Sequence, residues 1–304
     1  MQLENSFKYL TCSPEDVEWG LYLSVSGSAK VMPDAFYPPS GHPTGYNFNW
    51  QNGRILHEYQ INYITEGGGI LETNEGRYNI TEGSVVILHP NVWHRYRPLK
   101  NKGWMEHYIG FKGDIADKIF NASEYLRESN IIHIGFQETV LKNFQAIFNY
   151  VQNEKPGYQQ ICSGLVIYLL GEIISIKKNE NFRHSHIEKV IQKACLIIRD
   201  NPLQNLNIED IAEKLNTDYS LFRKSFKKYT GLSPKQYHTS LRINQAVNLL
   251  MGTDMIIKEI SNKLGHCSVF YFNKFFKEKT GFTPSGYRNR FKKKNIILDH
   301  DKKR

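Results

Sequence analysis

The chain has 304 residues, of which 40% are hydrophobic, and a formal net charge of +9 at pH 7. This length is sufficient for two domains that each bury a core. No apolar stretch of about 18 residues is uninterrupted and the first residues lack a signal pattern, so neither a membrane span nor secretion is predicted. The four cysteines lack C-x-x-C spacing, so no zinc site or disulfide framework is predicted. We therefore expect a soluble cytoplasmic protein without a cofactor.

The positive charge is concentrated in the C-terminal part of the chain. Residues 181–304 contain 24 Lys and Arg against 11 Asp and Glu, a net charge of +13, whereas residues 1–180 have a net charge of −4. A basic block joined to a mildly acidic block is typical of a DNA-binding domain attached to a domain of another function.

In chain order, the first pattern is that of β-strands. From Leu21 to about Phe111, short alternating runs rich in Tyr, Ile and Val are separated by turn residues such as Gly67–Gly69 and Asn74–Gly76. This pattern predicts an antiparallel barrel or sandwich. The clearest predicted strands are His57–Ile64, Gly69–Thr73, Gly76–Ile80, Ser84–Leu88 and Trp104–Phe111.

After these strands the periodicity becomes helical. Residues 136–153 place apolar side chains at a spacing of three to four, which predicts a helix that Pro156 and Gly157 end. A second predicted helix, from about Tyr158 to Lys178, is apolar on more than one side and must be covered by neighbours. Packing on the barrel and a subunit interface both agree with this pattern. The polar residues 179–186 then predict a linker.

A motif that occurs twice is the most informative feature of the remaining chain. After a predicted helix at Ile187–Asp200, the first copy covers residues 208–237 and the second covers residues 257–287. Each copy has the pattern of a short helix, a tight turn and a second helix closed by glycine. A doubled, lysine-rich unit of this kind predicts a protein that binds duplex DNA.

The second helix of each copy has the composition of a recognition helix, with Asp218 and Ser268 as predicted N-caps. The apolar face of each helix is expected to pack inside the unit. The residues predicted to face inward are Leu221, Phe222, Ser225, Phe226, Tyr271, Phe272, Phe275 and Phe276. The residues predicted to contact DNA are Tyr219, Ser220, Arg223, Lys224, Lys227, Val269, Phe270, Asn273, Lys274 and Lys277.

Two of these residues have predicted base contacts: Phe270 with a thymine methyl group, and Asn273 with N6 and N7 of adenine. The linking helix, from about Pro234 to Met251, has 18 residues, so it rises about 27 Å. Successive major grooves on one face of DNA repeat every 34 Å or so. We therefore predict that one chain inserts two helices into adjacent major grooves. The charged tail at residues 292–304 is expected to add non-specific DNA affinity.

The doubled unit resembles the DNA-binding domain of the AraC/XylS family of bacterial transcription regulators. The resemblance covers roughly residues 187–291 and is strongest from Ile260 to Arg288. Two positions depart from the family pattern: Ser261 replaces a usual alanine, and His266 replaces the phenylalanine that usually follows the glycine. His266 is expected either to weaken the packing of the turn or to lie near DNA phosphates.

The N-terminal strands resemble the ligand-binding domain of the same family, a cupin-like β-barrel followed by a helical hairpin. The resemblance rests on Tyr59–Gly69, Tyr78–Tyr96 and Trp104–Phe111. It implies a multidomain β + α protein with three parts. These are a ligand-binding and dimerisation domain at residues 1–178, a linker at 179–186, and an all-α domain with two helix-turn-helix units at 187–304.

In sugar-responsive members such a barrel holds a monosaccharide, and the family pattern then maps onto Glu66, Tyr96, Glu106 and Tyr108 as ligand-facing positions. Aromatic and hydrogen-bonding side chains suit a carbohydrate. Strand alternation places Trp104, Glu106 and Tyr108 on one face, opposite Met105 and His107. A Pro- and Gly-rich segment, Phe36–Gly45, predicts a lid. The predicted ligand-binding residues are Glu66, Tyr96, Glu106, Tyr108, Trp93, His94, Trp104 and Tyr37.

Two alternatives to a sugar sensor stay open on the sequence alone. Cupin-like barrels also form metal-dependent enzymes, and His57, His89, His94 and His107 supply candidate ligands. A ligand-independent regulator would use the barrel only for assembly. The preferred hypothesis is a non-enzymatic, ligand-responsive regulator. Its expected partners are promoter DNA, a sugar effector, a second copy of the chain through the 136–178 hairpin, and RNA polymerase. The resemblance favours an activator.

Overall fold

The structure is a computed structural model that describes residues 6–38, 49–180, 182, 185–204, 206–266 and 268–291. The chain divides into two compact units, Met1–Asn181 and Phe182–Arg304. Of the predicted lid, only residues 36–38 are described. The predicted charged tail at 292–304 lies outside the described residues, as do positions 181, 183 and 184 of the predicted linker.

The first unit is an antiparallel β-sheet with helices on its outer face, which confirms the predicted β architecture. Alternating β-branched and aromatic side chains favour these strands because they pack well on a pleated surface. In chain order the strands are β1 (Ser6–Tyr9), β2 (Tyr22–Val31), β3 (Arg54–Ile55), β4 (Tyr59–Thr73), β5 (Gly76–Thr81), β6 (Ser84–Leu88), β7 (Trp93–Pro98), β8 (Trp104–Lys112) and β9 (Ile131–His133).

The long strand β4 belongs to both halves of the sheet. Its first half pairs with β6 and β8, and its second half pairs with β5 and β7. The strand bends at Gly67, whose φ of +78° favours glycine and where a Cβ would overlap the carbonyl oxygen of Gly103. The prediction that Gly67–Gly69 separates two strands is therefore wrong. Because β4 bends, inner-face residues of both halves, such as Ile64 and Leu71, pack in one core.

Helices cover the outer face of this sheet. In chain order they are α1 (Pro14–Glu18), α2 (Asp114–Ala122), α3 (Glu124–Glu128), α4 (Glu138–Asn153) and α5 (Tyr158–Glu180). The predicted apolar face of α4, including Val140, Phe144 and Ile147, packs against the sheet residues Ile61 and Tyr63. Helix α5 continues to Glu180, so the first two residues of the predicted linker are helical.

Among the described residues, α5 is the one helix whose length and apolar composition match those of a membrane span. However, Cys162, Val166, Leu169 and Ile173 of this helix are buried in the core between α4 and the sheet. The helix therefore packs on the sheet, which is one of the two arrangements that its sequence predicts. Soluble core helices have the same composition because they are covered by neighbours on several sides.

The second unit is all-helical in its described residues, as predicted. Its helices are α6 (His186–Asp200), α7 (Ile208–Lys214), α8 (Tyr219–Thr230), α9 (Pro234–Gly252), α10 (Ile257–Lys263) and α11 (Val269–Thr280). The predicted caps are in place: Asp218 accepts a hydrogen bond from the backbone N–H of Leu221 at 2.9 Å, and Ser268 accepts one from that of Tyr271 at 3.2 Å.

Helix α9 is shared between two small cores. The first core is formed by α6, α7 and α8 around Phe222 and Phe226, and the first part of α9 packs against it. The second core is formed by α10 and α11 around Phe272 and Phe276, together with Ala246 from the second part of α9. Each helix-turn-helix unit therefore has its own apolar core, and one continuous helix connects them.

Candidate nucleic-acid interface and effector site

Helices α8 and α11 are equivalent second helices of the two units, and their phenylalanines show which face is inside. Phe222, Phe226, Phe272 and Phe276 are all fully buried, as predicted. The same helices expose a basic face. The predicted DNA-contacting residues that are exposed are Ser220, Arg223, Lys224, Lys227, Phe270, Lys274 and Lys277, whereas Tyr219, Val269 and Asn273 are half-buried.

Two residues predicted to face inward are instead exposed: Leu221 is 53% exposed and Tyr271 is 59% exposed. They occupy equivalent positions in the two repeats, one residue before the buried Phe222 and Phe272. A helix advances about 100° per residue, so these side chains lie beside the buried stripe. With Phe270, which is 80% exposed, they place large apolar groups on surfaces that are otherwise basic.

His266, which departs from the family pattern, is buried in the second unit. Its ring lies 5.2 Å from the rings of Phe272 and Phe275, measured between centroids. Burial, with the nearby Arg242 guanidinium, lowers the pKa of His266 to about 4. The neutral ring accepts a hydrogen bond from Arg242 Nη2 at 3.4 Å. His266 therefore packs against aromatic rings in the turn and contacts Arg242. Its proximity to DNA phosphates, the other expectation, stays a prediction.

A second candidate site lies on the inner face of the sheet in the first unit. Trp104, Glu106 and Tyr108 project from the same face of β8, as predicted, and all three are buried. His94 and Tyr96 of β7 are buried with them. The Tyr96 and Trp104 rings lie 6.1 Å apart, so the two strands bring their aromatic and polar side chains together.

Arg54 of β3 forms one side of this cluster. Its guanidinium donates to the hydroxyl of Tyr96 at 2.8 Å, to Gln60 Oε1 at 3.3 Å and to His94 Nε2 at 3.2 Å. His94 Nδ1 lies 3.0 Å from the Val92 carbonyl oxygen and donates to it. Burial and the adjacent Arg54 lower the pKa of His94 to about 3, so the imidazole is neutral.

Glu106 forms the opposite side of the cluster. Its carboxylate accepts hydrogen bonds from the Tyr37 hydroxyl at 3.3 Å and from Asn62 Nδ2 at 3.5 Å. Burial raises the pKa of Glu106 to about 7, against the opposing effects of these donors and of Arg54. The Tyr37 ring packs edge-on against Trp104 with a centroid distance of 5.4 Å.

Among the polar atoms of the cluster, the Tyr108 hydroxyl and Asn62 Oδ1 are buried without a hydrogen-bond partner among the described residues. Gly27 lies opposite Tyr108 on β2, and a Cβ there would lie 2.8 Å from the phenol oxygen. The glycine therefore leaves room for Tyr108 to extend inward. Buried polar atoms normally have partners, so this cluster has unused capacity for hydrogen bonds to a ligand.

Glu66 and Trp93 lie elsewhere, which corrects two predicted positions. A bulge between Ile64 and Glu66 shifts the register, so that Glu66 pairs with Met105 and shares its face rather than that of Glu106. Glu66 is exposed and lies 3.8 Å from Lys30 Nζ. Trp93 alternates with His94 on β7, and its indole N–H donates to the Asn52 carbonyl on the outer side.

Sequence reasoning missed Arg54, Gln60 and Asn62 as members of the cluster. Arg54 lies in a two-residue strand that has no recognisable periodicity. Gln60 and Asn62 alternate with Tyr59, Ile61 and other outer-face residues in β4, and this alternation was a usable signal. In the part of the chain that the structure describes, no group of three or more His, Cys, Asp or Glu side chains is arranged to hold a metal ion.

Comparison with known proteins finds a family match in each of the two units. Residues 35–170 match the family described as "AraC-like ligand binding domain", and residues 211–290 match "Helix-turn-helix domain". A basic pair of helix-turn-helix units joined to a domain with an enclosed polar cluster defines a DNA-binding transcription regulator. This chain belongs to the AraC/XylS family of such regulators.

Three curated relatives align over most of their length. The Msm operon regulatory protein of Streptococcus mutans is 28% identical, over 80% of this chain and 87% of the relative. The lactose operon transcription activator of Staphylococcus xylosus is 28% identical, over 81% of this chain and 88% of the relative. The raffinose operon transcriptional regulatory protein of Pediococcus pentosaceus is 25% identical, over 80% of this chain and 88% of the relative.

Proposed function

We propose that this regulator binds a carbohydrate in the inner cluster of its first unit and changes its binding to promoter DNA in response. The observation that carries the proposal is the buried, partly unpaired set of polar groups around Glu106, Tyr108 and Asn62. Sugar hydroxyls both donate and accept hydrogen bonds, and the cluster offers donors, acceptors and aromatic faces.

The distribution of charge in the cluster supports a neutral polyhydroxylated ligand. Arg54 is already engaged by Tyr96, Gln60 and His94 and faces the Glu106 carboxyl across the interior. The relatives named for lactose and raffinose operons add weight to a carbohydrate effector. Ligand occupancy shifts a regulator only if the ligand binds its two arrangements unequally, by about 1–3 kcal/mol in typical cases.

We further propose that the chain acts as a homodimer through the α4–α5 hairpin and activates transcription, with RNA polymerase as a partner. Helix α5 supports this assembly because one side of it is exposed in the part of the chain that the structure describes. Its exposed residues there are Ile161, Gly164, Ile167, Tyr168 and Gly171. An exposed apolar stripe with two glycines allows close approach of a second helix.

Calorimetric titration of the full chain against a panel of mono- and disaccharides tests the effector proposal. We expect one sugar to bind saturably, and Glu106→Gln and Tyr108→Phe to weaken that binding at least tenfold while DNA affinity without sugar is unchanged. Glu66→Gln is the matched control, because this glutamate is exposed and outside the cluster. Equal loss in the control, or no saturable binding by any sugar, would count against the proposal and favour a ligand-independent regulator.

A further inference from the structure

A cleft of about 420 Å³ lies between the two helix-turn-helix units. Tyr219, the first residue of α8, and Tyr271, the third residue of α11, both line it. Lys235, Thr239 and Arg242 of α9 also line it. The first turns of both recognition helices therefore border the cleft, and of the DNA-contacting residues inferred from the sequence Tyr219 alone lines it.

The position of the cleft relative to DNA follows from the two recognition helices. Helix α9 has 19 residues and so spans about 28 Å, while adjacent major grooves repeat every 34 Å or so. If α8 and α11 occupy successive major grooves, the DNA between them presents its minor groove and the two flanking phosphate strands. In that arrangement those phosphates face the first turns of α8 and α11, which border the cleft.

The lining of the cleft has the chemistry of a phosphate site. Two cationic side chains, Lys235 and Arg242, line it, against the single carboxylate of Glu209. Lys235 is exposed, so its ammonium group can reach a ligand. A phosphate diester carries one negative charge and accepts hydrogen bonds, and both Lys and Arg donate to it.

Arg242 is held in place and still has a donor without an acceptor. Its Nη2 donates to the Leu264 carbonyl oxygen at 2.6 Å and to His266 Nε2 at 3.4 Å. Its Nε–H is buried, and no described residue accepts from it. An unpaired buried donor on a cationic side chain is costly. An anion in the cleft would relieve that cost while the two existing hydrogen bonds keep the guanidinium fixed.

We propose that this cleft binds a backbone phosphate of the DNA segment between the two major grooves, with Arg242 and Lys235 as its ligands. The inference rests on the proposed DNA-bound arrangement and adds a contact point that positions both recognition helices on one duplex. Such a contact contributes affinity and register without sequence preference.

The test measures the salt dependence of DNA binding by the full chain, on a duplex enriched from a random-sequence library by the wild-type protein. Each lost phosphate contact makes the negative slope of log K against log salt less steep by about 0.9. Because Lys235 and Arg242 bind the same phosphate, we expect the double variant Lys235→Gln, Arg242→Met to lower the steepness by about that amount per DNA-bound unit, and each single variant to lower it by part of that amount. The affinity loss should be similar on every duplex sequence.

Two matched variants separate this effect from its alternatives. Lys193→Gln on α6 removes one exposed positive charge outside the cleft and should leave the slope unchanged. Arg288→Met removes an arginine that, like Arg242, donates to backbone carbonyls of the second unit, but that does not line the cleft, and it should also leave the slope unchanged. An equal slope change in Lys193→Gln would show a general charge effect. An equal change in Arg288→Met would show that Arg242 acts only by supporting the second unit. Either result overturns the proposal.

The failure of the cleft and the failure of DNA binding give different results. If wild-type binding is steeply salt-dependent and neither Lys235→Gln nor Arg242→Met changes its slope, the cleft is not a phosphate site while the regulator function stands. If wild-type protein shows no salt-dependent retention of any duplex, the DNA-bound arrangement itself is wrong, and the cleft proposal falls with it.

Discussion

Individual side chains in the first unit show what alternation along a strand determines. Trp104, Glu106 and Tyr108 share one buried face because side chains project alternately from a strand. The same rule fails for Glu66, because the extra residue at the bulge in β4 exchanges the two faces. A bulge depends on the pairing partners of a strand, and one strand's sequence does not contain that information.

Glu106 gives a prediction on pH dependence. Burial raises its pKa to about 7 in the folded protein, from a value near 4.5 when exposed. The protonated carboxyl therefore stabilises the fold below pH 4.5 or so, and this contribution is lost as the pH rises through 7. Relative to Glu106→Gln, the wild-type free energy of unfolding should fall by roughly 3 kcal/mol over this range.

Tryptophan fluorescence during urea unfolding measures this difference, because all four tryptophans lie in the first unit. His94 and His107, whose lowered pKa values act in the opposite direction, are present in both proteins and cancel in the comparison. Parallel pH profiles for wild type and Glu106→Gln would contradict the prediction.

Asn273 gives a prediction on sequence recognition. It is half-buried on α11 beside the exposed Lys274. Since an amide side chain recognises adenine and a lysine ammonium neutralises phosphate, Asn273→Ala should relax the base preference at one operator position at a cost of about 1–3 kcal/mol. Lys274→Ala serves as the comparison and should weaken all duplexes similarly. Binding to a panel of single-base operator variants measures both, and equal weakening by Asn273→Ala on every duplex would rule out a base contact.

At the scale of elements, the two recognition helices were located from sequence with their caps, because local chemistry alone determines them. Asp218 and Ser268 accept hydrogen bonds from free backbone N–H groups, and Gly231 and Gly281 end the helices with left-handed φ values. The inner faces were predicted less well. An apolar residue next to the buried stripe, as at positions 221 and 271, is indistinguishable from a core residue in sequence.

Substitution by alanine should therefore affect stability differently at core and surface positions of α8. Phe226→Ala removes a fully buried ring and should cost about 3–5 kcal/mol of stability. Leu221→Ala removes a side chain that is 53% exposed and should change stability by less than about 0.5 kcal/mol. Helical circular dichroism of the full chain during thermal unfolding measures both. A large effect of Leu221→Ala would mean that this side chain is packed in solution.

The C-terminal glycines of these helices give a further matched comparison. Gly231 and Gly281 have φ of +80° and +79°, with open space around them. Alanine there should destabilise its unit by about 1 kcal/mol through backbone strain alone. Gly252→Ala, at the end of α9 and also in open space, should instead be neutral or stabilising, because its φ is not positive. The melting temperatures of the three variants test this comparison. A Gly252→Ala variant that melts as low as the other two would contradict it.

At the scale of the whole molecule, the order of a β unit followed by a helical unit was predictable because each periodicity persists over many residues. The inner cluster was only partly predictable. It draws residues from β3, β4, β7 and β8, and the pairing that brings Arg54 near Glu106 spans more than 50 positions in sequence. The residue pattern within a single strand does not specify such non-local contacts. The helix-turn-helix repeat, in contrast, is recognisable from sequence because its two copies have a nearly constant offset.

The exposed stripe of α5 gives the prediction on assembly. If the chain dimerises through this helix, Tyr168→Glu places a charge in the interface and should produce monomers at micromolar concentration, where the wild type is dimeric. Val17→Glu, which alters an apolar side chain that is 50% exposed on α1, should leave the dimer intact. Analytical ultracentrifugation measures both. A monomeric wild type would contradict the proposed hairpin interface.

The sharing of α9 by both cores has a consequence for insertions and deletions. One residue added within α9 would turn the second module by about 100° and advance it by about 1.5 Å. Three or four added residues would nearly restore the angular phase while lengthening the separation by about 5.4 Å. Tolerance to length changes in this helix should therefore be periodic, and operators with wider spacing would be accessible only in steps of a whole turn.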